Sequence, residues 1–158
     1  MISFKEGSNK FNFRAGAIIV SGDKKRVLLH TIKGYNFYLL PGGRVEWLED
    51  SVSAIRRELK EELGLENITL RLRLNLESFF NFNEINYHEI SNNFVVELDD
   101  RHKFLEEYDE FLGVEGENYI FKWVPFDELD SQIMKPNYLK EVIKNYQEGF
   151  EYKILNDK

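Results

Sequence analysis

The amino-acid sequence predicts an α/β protein in which helices cover a β-sheet. Three observations support this class. Apolar runs with strand character recur between residues 13 and 124, and two segments, 51–63 and 136–146, place apolar residues at helical spacing. In addition, 42% hydrophobic and 15% aromatic residues in a chain of 158 suffice for one buried core. We therefore expect a single domain over residues 1–158.

The first predicted strands are apolar runs separated by turn residues. Residues 13–20 and 27–29 have strand character, and the intervening residues 21–23 predict a hairpin turn between them. Residues 38–40 end at Pro41-Gly42-Gly43, where proline interrupts a strand and glycine allows backbone conformations closed to other residues. A loop is expected at this point.

The first predicted helix covers residues 51–63. Asp50 or Ser51 can cap its N-terminus, and Gly64 is a suitable C-terminal stop. Its apolar residues recur at helical spacing and are Val52, Ile55, Leu59 and Leu63. These four side chains are expected to form the buried face of the helix.

The second half of the chain predicts further strands and a last helix. Leucine at every second position from 70 to 76 predicts a strand with one buried face, which leaves Arg71 and Arg73 on the other. Residues 81–93 are predicted to be an asparagine-rich connection, and 94–98 and 119–124 to be strands. Trp123 is expected to pack against the last helix.

The composition limits the classes of ligand and compartment. A net charge of −7 opposes binding to long nucleic acids and to membranes, although a bound cation can still attract a small phosphorylated ligand. The chain has no cysteine, which excludes disulfides and thiolate chemistry. Because it has neither a signal-peptide core nor an apolar run of roughly 18 residues, we expect a cytoplasmic protein.

Three glutamates on the first helix form the main candidate site. On a helical wheel, Glu58, Glu61 and Glu62 fall within about 100 degrees of one another, beside the apolar stripe. Three carboxylates this close repel each other unless a cation offsets their charge. Ligands that are all oxygen favour Mg²⁺, with Mn²⁺ as the alternative.

The loop before this helix adds glycines and more carboxylates. The backbone at Gly42 and Gly43 can approach a ligand closely, and Glu46 and Glu49 lie toward the helix N-terminus. Arg57 can bind one carboxylate through two parallel hydrogen bonds. We expect it to orient Glu49 or Glu46 and so to join the loop to the helix.

These residues match a known motif in full. The pattern Gly43-x5-Glu49-x7-Arg57-Glu58-Leu59-x-Glu61-Glu62-x-Gly64-Leu65 resembles the complete Nudix box, over residues 43–65. The resemblance implies a Nudix-type α/β/α sandwich with a mixed β-sheet. It also implies hydrolysis of a nucleoside diphosphate linked to another moiety, typically with Mg²⁺.

The resemblance assigns roles by motif position. It implies Glu58 and Glu62 as main metal ligands, Glu61 as a further ligand or the base, and the Gly42 carbonyl as a backbone ligand. Glu58 is the base in some relatives. Many relatives recruit another acid from a later loop, for which we select Glu117. The implied catalytic residues are Glu61, Glu58, Arg57, Glu49 and Glu117.

Substrate contacts are predicted less sharply. Arg14, Gly43 and Glu46 are candidates, and Arg71 and Arg73 either reach phosphates or lie on a solvated sheet face. Four clustered aromatic residues either stack on a nucleobase or pack in the core: Phe79, Phe80, Phe82 and Tyr87. His30, His88 and His102 form no recognisable catalytic pattern.

Two functions from different classes remain open. The first is an enzyme acting on a modified dNTP, an NDP-sugar, ADP-ribose or a dinucleoside polyphosphate. The second is a Nudix-fold nucleotide sensor without turnover, which the complete set of box carboxylates disfavours. RNA decapping is disfavoured by the acidic composition. A homodimer is compatible with the sequence, although no feature specifies an interface.

Overall fold

In the computed structural model, which describes residues 1–157, nine strands join in one sheet with two α-helices against it. The strands run in the order β7-β8-β3-β2-β6-β5-β9, and β1 and β4 also pair with β2. The strands are β1 (Ser3–Glu6), β2 (Asn9–Val20), β3 (Arg26–Ile32), β4 (Gly42–Arg44), β5 (Leu70–Phe82), β6 (Ile85–Glu97), β7 (Glu110–Gly113), β8 (Gly116–Pro125) and β9 (Glu151–Asp157). The helices are α1 (Ser51–Leu63), α2 (Leu139–Lys144) and two 3-10 helices, Asp100–Glu106 and Phe126–Ser131.

The sheet is mixed and has a hydrophobic core on each face. The pairs β2–β6 and β5–β9 are parallel, and the others are antiparallel. Along β2, Ala17 and Ile19 pack on the side of α1, while Ile18 and Val20 pack on the side of α2. This alternation follows from the two-residue period of a strand. The predicted α/β/α sandwich is therefore confirmed.

Helix α1 begins and ends where its sequence predicts. The Asp50 carboxylate accepts a hydrogen bond from the Ser53 backbone N–H at 2.8 Å, and Gly64 takes the left-handed conformation (φ 68°) that ends a helix cheaply. The buried stripe differs at one position, because Val52 is exposed and Ala54 is buried in its place. Ala54, Ile55, Leu59 and Leu63 hold α1 against the sheet.

The sheet opens between β2 and β3. Only Val20 and Val27 are in register at the closed end of the pair. At the open end, β4 pairs with residues 14–16 of β2, and Leu39 exchanges both backbone hydrogen bonds with His30 of β3. The expected hairpin of β2 and β3 is thus present, and the segment 39–44 lies between its two strands. This insertion carries the glycine pair into the centre of the sheet.

The leucine alternation in β5 does not continue on one face. A β-bulge at Arg73 shifts the register, so that Leu70 contacts the core beside α1 while Leu74 and Leu76 lie in the core beside α2. Arg73 is only 2% exposed and donates to Glu151 Oε1 at 3.1 Å and to the Asn145 carbonyl at 3.2 Å. The prediction of a solvated or phosphate-binding Arg73 was therefore wrong.

Arg71 also has a structural role. Its guanidinium donates to the carbonyls of Glu148 and Tyr146, at 2.7 and 2.5 Å. Together with the pair of Arg73 and Glu151, it ties β5 to the chain between α2 and β9.

Two further expectations are corrected. Residues 81–93 are not a connection: they belong to the hairpin of β5 and β6, whose turn at Asn83 and Glu84 has positive φ angles of 52° and 65°. Trp123 packs in the core beside α1, not against α2, and donates to the Leu105 carbonyl at 2.8 Å. Strand β9 was not predicted. Within residues 1–157, no helix has the length and apolar character needed to cross a membrane.

Replacing Arg73 with leucine should lower the free energy of unfolding by about 2–4 kcal/mol, because Glu151 and the Asn145 carbonyl lose a buried partner. Urea denaturation followed by circular dichroism measures the change. The control is Arg71→Leu, which leaves carbonyls at the surface and should cost about 1 kcal/mol. An unchanged free energy of unfolding in Arg73→Leu, or equal decreases in both variants, would contradict the buried structural role of Arg73.

Candidate active site

Two glycines allow the loop to approach helix α1 and strand β2. Gly42 has φ 144°, and a Cβ there would stand 2.1 Å from the Ala15 carbonyl oxygen. A Cβ at Gly43 would stand 2.4 Å from Glu58 Cδ. Any side chain at Gly43 would therefore displace the Glu58 carboxylate, which lies directly against the backbone of the loop.

Arg57 joins this loop to the helix. Its Nε and Nη2 donate to the two oxygens of Glu49 at 2.9 and 3.0 Å, which is a bidentate pair, and Nη2 also donates to the Arg44 carbonyl at 3.2 Å. Its Nη1 reaches Glu58 at 2.9 Å and Glu61 at 3.3 Å. The hydrogen bonds that Arg57 donates lower the pKa of Glu49, and their acceptance by Glu49 and Glu58 raises the pKa of Arg57.

Of the two carboxylates expected to bind Arg57, the structure selects Glu49. Glu46 instead lies 2.6 Å from the terminal amine of Met1, and its backbone N–H donates to Glu49 at 3.1 Å. The role of Glu46 as a substrate contact stays a prediction.

The three helix glutamates differ in their surroundings. Glu61 is 45% exposed, Glu58 is 15% exposed, and Glu62 is buried at 7%. The Oε2 atom of Glu62 is buried without a hydrogen-bond partner. Burial, followed by repulsion from Glu58 and Glu115, raises the pKa of Glu62 to about 9. Ionised Glu62 therefore needs a positive charge close to it.

A fourth acid approaches from the turn between β7 and β8. The Val114 backbone N–H donates to the Glu62 carbonyl at 2.9 Å, which docks this turn onto the end of α1. Partial burial, followed by repulsion from Glu61 and Glu58, raises the pKa of Glu115. Glu117, two residues further along the chain, is exposed and lies in β8. The acidic stretch pointed to this turn, but only the docking contact brings Glu115 toward the helix glutamates.

The donor set suits a hard divalent cation. An unpartnered buried carboxylate oxygen on Glu62, with the Glu58 carboxylate beside it, offers oxygen ligands and a strong negative field. Within residues 1–157, no three acidic, histidine or cysteine side chains are already grouped around a common point for an ion. Glu58 and Glu61 instead hydrogen-bond to Arg57.

A cavity of about 480 Å³ opens on the face of the sheet that α2 covers. Arg14 and Arg44, which are paired across β2 and β4, lie on its wall. The positive charge of Arg14 opposes the rise in the pKa of Glu62, and the Arg44 carbonyl accepts from Arg57. The cavity thus adjoins the loop of the carboxylate site. Sequence reasoning identified Arg14 but not Arg44.

Aromatic residues surround this cavity. Three of the four aromatic residues singled out in the sequence line it, namely Phe80, Phe82 and Tyr87, and Tyr35 and Phe37 do so as well. Phe79 lies outside the cavity lining, with its ring centroid 4.3 Å from that of His88. Phe79 therefore belongs to the packing interpretation, and the other three remain candidates for contact with a base.

The histidines make contacts outside the box. His30 bonds to the Ile120 carbonyl at 3.3 Å, and burial lowers its pKa to about 4. His88 pairs with Glu77 at 3.0 Å. His102 bonds to the Glu66 carbonyl at 2.9 Å and accepts from the Asp99 N–H that precedes its 3-10 helix.

Comparisons with known proteins agree with this fold and motif. The family model described as NUDIX domain matches residues 10–146. No curated protein sequence matches the chain. Among solved structures, the mutator MutT protein of Bacillus halodurans is similar, with a TM-score of 0.69 and 17% identity over 92% of this chain and 89% of that one.

Two other solved structures share the fold. A MutT NUDIX hydrolase of Burkholderia pseudomallei has a TM-score of 0.56 and 22% identity, covering 85% of this chain and 96% of its own. The dihydroneopterin triphosphate pyrophosphohydrolase of E. coli has a TM-score of 0.64 and 21% identity, covering 85% and 93%. With the complete box at residues 43–65 and a domain match over residues 10–146, the chain belongs to the Nudix family.

Proposed function

We propose that this Nudix pyrophosphohydrolase is metal-dependent and cleaves the diphosphate linkage of a nucleoside diphosphate joined to another moiety. The observation that carries the proposal is the Glu62 oxygen, buried without a partner beside Glu58 on a support braced by Arg57. An ionised buried carboxylate that lacks a partner destabilises the fold, which is characteristic of a site adapted to a ligand charge.

Glu58 and Glu62 would hold the cation, with Glu61 and the Gly42 carbonyl as further ligands by motif position. Mg²⁺, or Mn²⁺ in its place, supplies charge neutralisation at the diphosphate and acidifies a water molecule when bound. Arg57 contributes by keeping Glu58 against the loop, which restricts the motion of this ligand before a cation binds. Arg14 can bind phosphate oxygens from the cavity side.

The reaction requires one base and no covalent nucleophile. Water attacks a phosphorus atom, a new P–O bond forms, and the bridging P–O bond breaks. A carboxylate accepts the proton of the attacking water, which is a general-base step. Glu61, which is partly exposed, and Glu115, which faces the helix glutamates, are the candidates. The raised pKa of Glu115 makes its carboxylate a stronger proton acceptor than an ordinary glutamate.

The first test is hydrolysis of a compound panel with Mg²⁺ in ¹⁸O-labelled water. The panel contains modified dNTPs, NDP-sugars, ADP-ribose and dinucleoside polyphosphates. It also contains dihydroneopterin triphosphate, because one of the similar structures is a pyrophosphohydrolase named for this compound. We expect phosphate products from at least one class, and the label identifies the phosphorus attacked. Glu62→Gln should lower kcat at least ~100-fold at every Mg²⁺ concentration, because it removes a metal ligand.

The matched control is Glu66→Gln, which changes a surface glutamate paired with Lys60. It should keep full turnover, and both variants should unfold cooperatively. Binding of a nucleotide without any product would favour the sensor function. Full activity of Glu62→Gln across the Mg²⁺ titration would exclude Glu62 as a ligand.

Glu62 also predicts how stability depends on pH when no divalent cation is present. Its pKa of about 9 in the fold exceeds the ordinary value of 4.5, so the unfolded chain loses this proton first. Its contribution to the free energy of unfolding should therefore be largest below pH 4.5 and should decline from there to about pH 9. Urea denaturation with EDTA at several pH values measures this slope.

Glu62→Gln should flatten that slope and make the cation-free protein more stable than wild type at pH 8, since the neutral amide does not titrate. Mg²⁺ should stabilise wild type more than the variant, because only wild type offers the carboxylate. A wild-type slope that persists unchanged in Glu62→Gln would assign the dependence to other groups.

The candidate acids of the β7–β8 region can be separated by two amide variants. Glu115→Gln should lower kcat by about 10²–10⁴-fold if Glu115 accepts the proton, and it should remove a limb from the pH profile of kcat. Glu117→Gln, two residues away on the exposed part of β8, is the matched comparison. Loss of turnover in Glu117→Gln alone would support the prediction of Glu117 made from the sequence.

A further inference from the structure

The cavity beside the carboxylate site has a polar residue at its floor. Asn93 of β6 is 4% exposed and lies in register with Gly16 of β2, and both residues line the cavity. The Asn93 Nδ2 atom donates to Ser91 Oγ at 3.0 Å and contacts the Ser91 carbonyl at 3.4 Å. Ser91 therefore orients the amide of Asn93.

The opposite end of this amide faces the space above Gly16. A Cβ on Gly16 would stand 2.4 Å from Asn93 Oδ1, so this oxygen occupies the position that a side chain would take. Within residues 1–157, Oδ1 accepts no hydrogen bond, while Nδ2 is bonded to Ser91. Within residues 1–157, Glu62 Oε2 is the buried side-chain oxygen without a partner, so Asn93 Oδ1 keeps some accessible surface and can accept a hydrogen bond from a ligand in the cavity.

The rest of the cavity suits a flat heterocycle. Phe80 and Phe82 project from β5, and Phe37 lies on the wall formed by the segment before β4. Lys135 Nζ stands 4.3 Å from the ring centre of Phe37 and 5.2 Å from that of Phe82, so it bridges the two walls at the rim. Aromatic faces bind planar rings by stacking, and a cavity of about 480 Å³ lies within the usual range for small-molecule sites.

We propose that Asn93 is a specificity-determining residue whose Oδ1 accepts a hydrogen bond from an N–H group of the substrate base. The base would stack against Phe80 and Phe82, and its phosphates would extend past Arg14 and Arg44 toward the carboxylates. The inference rests on the proposed function for its substrate class, a nucleotide with an N–H-bearing base. It adds the residue that distinguishes such a base from other rings.

Calorimetric titration with EDTA tests this without any turnover. The probes are the 5′-monophosphates of adenosine, guanosine, inosine, cytidine and uridine. Purine riboside 5′-monophosphate, whose base has no N–H, and ribose 5-phosphate, which has no base, are the comparison compounds. At least one common nucleotide should bind about tenfold or more tightly than both, because an acceptor that the bound ring buries disfavours a ring that leaves it unpaired.

Leucine has a volume similar to that of asparagine. Asn93→Leu should reduce the preference for the tightest-binding nucleotide over purine riboside 5′-monophosphate to about twofold or less, and it should leave the affinity for ribose 5-phosphate unchanged. The matched control is Asn92→Leu, on the opposite face of β6, where Asn92 bonds to Ser51 and Asn75. It should retain the preference. If Asn93→Leu does not fold, Phe82→Leu, at the half-exposed rim of the cavity, provides a second test. It should weaken binding of the preferred nucleotide by about tenfold without affecting binding of ribose 5-phosphate.

Equal binding of nucleotides and ribose 5-phosphate by wild type, or no detectable binding of any probe, would overturn the inference. A preference that survives in Asn93→Leu would overturn the assignment of Asn93. If Asn93→Leu does not fold, a Phe82→Leu protein that binds every probe with wild-type affinity would overturn the inference. Because these readouts need no hydrolysis, base-specific binding without turnover would leave the inference standing while refuting the proposed enzyme.

Discussion

The Arg57 guanidinium is the contact on which the carboxylate site depends. It binds Glu49 through two hydrogen bonds, the Arg44 carbonyl through a third, and Glu58 and Glu61 through its remaining nitrogen. One planar group therefore connects the loop, the end of β4 and two turns of α1. Lysine could not replace it, since an ammonium cannot form the same parallel pair while reaching the other acceptors. Its fixed charge also limits the repulsion among the glutamates.

This brace can act only because the sheet opens between β2 and β3. The inserted segment crosses the sheet at Gly42, where φ 144° and the closeness of the Ala15 carbonyl exclude a side chain. Immediately after it, the loop meets α1 on one face, while Arg44 and Arg14 contribute to the cavity on the other. Under the proposed function, a substrate held in the cavity would extend its phosphates past this segment toward the helix glutamates. The segment therefore contributes residues to both faces of the sandwich.

The parts of the fold that were predictable are those set by local sequence. The limits of α1 follow from helical spacing, an aspartate cap and a terminal glycine. A pair of Arg57 with a loop carboxylate was also expected, and the structure selects Glu49 over Glu46. Arg73 could not be placed, because a bulge depends on the partner strand and reverses which side chains face the core. Its burial then depends on Glu151, which is distant in sequence.

The hairpin of β5 and β6 was missed for a related reason. Asparagine is unfavourable in strands, yet here asparagines pair across neighbouring strands, as Asn75 does with Asn92 and Asn81 with Asn86. Long parallel pairing of β6 with β2 supplies the remaining backbone partners. Glu115 likewise owes its position to the contact of Val114 with the end of α1, which no local pattern encodes.

The two faces of the sheet therefore divide the requirements of the site. Beside α1, each glycine, arginine and glutamate of the box has a fixed place in the sequence. The carboxylates must lie close together and within hydrogen-bonding distance of Arg57. Beside α2, the cavity is built from several strands and loops, and its aromatic residues Phe80 and Phe82 are separate from the Arg57 hydrogen bonds, whereas Arg14 and the Arg44 carbonyl interact with the carboxylate site. Asn93 combines features of both faces. It is buried in the sheet and requires glycine at position 16 beside it, yet its Oδ1 atom faces the cavity. A substitution at Asn93 would therefore change the base preference, while the residues that bind the diphosphate would stay the same.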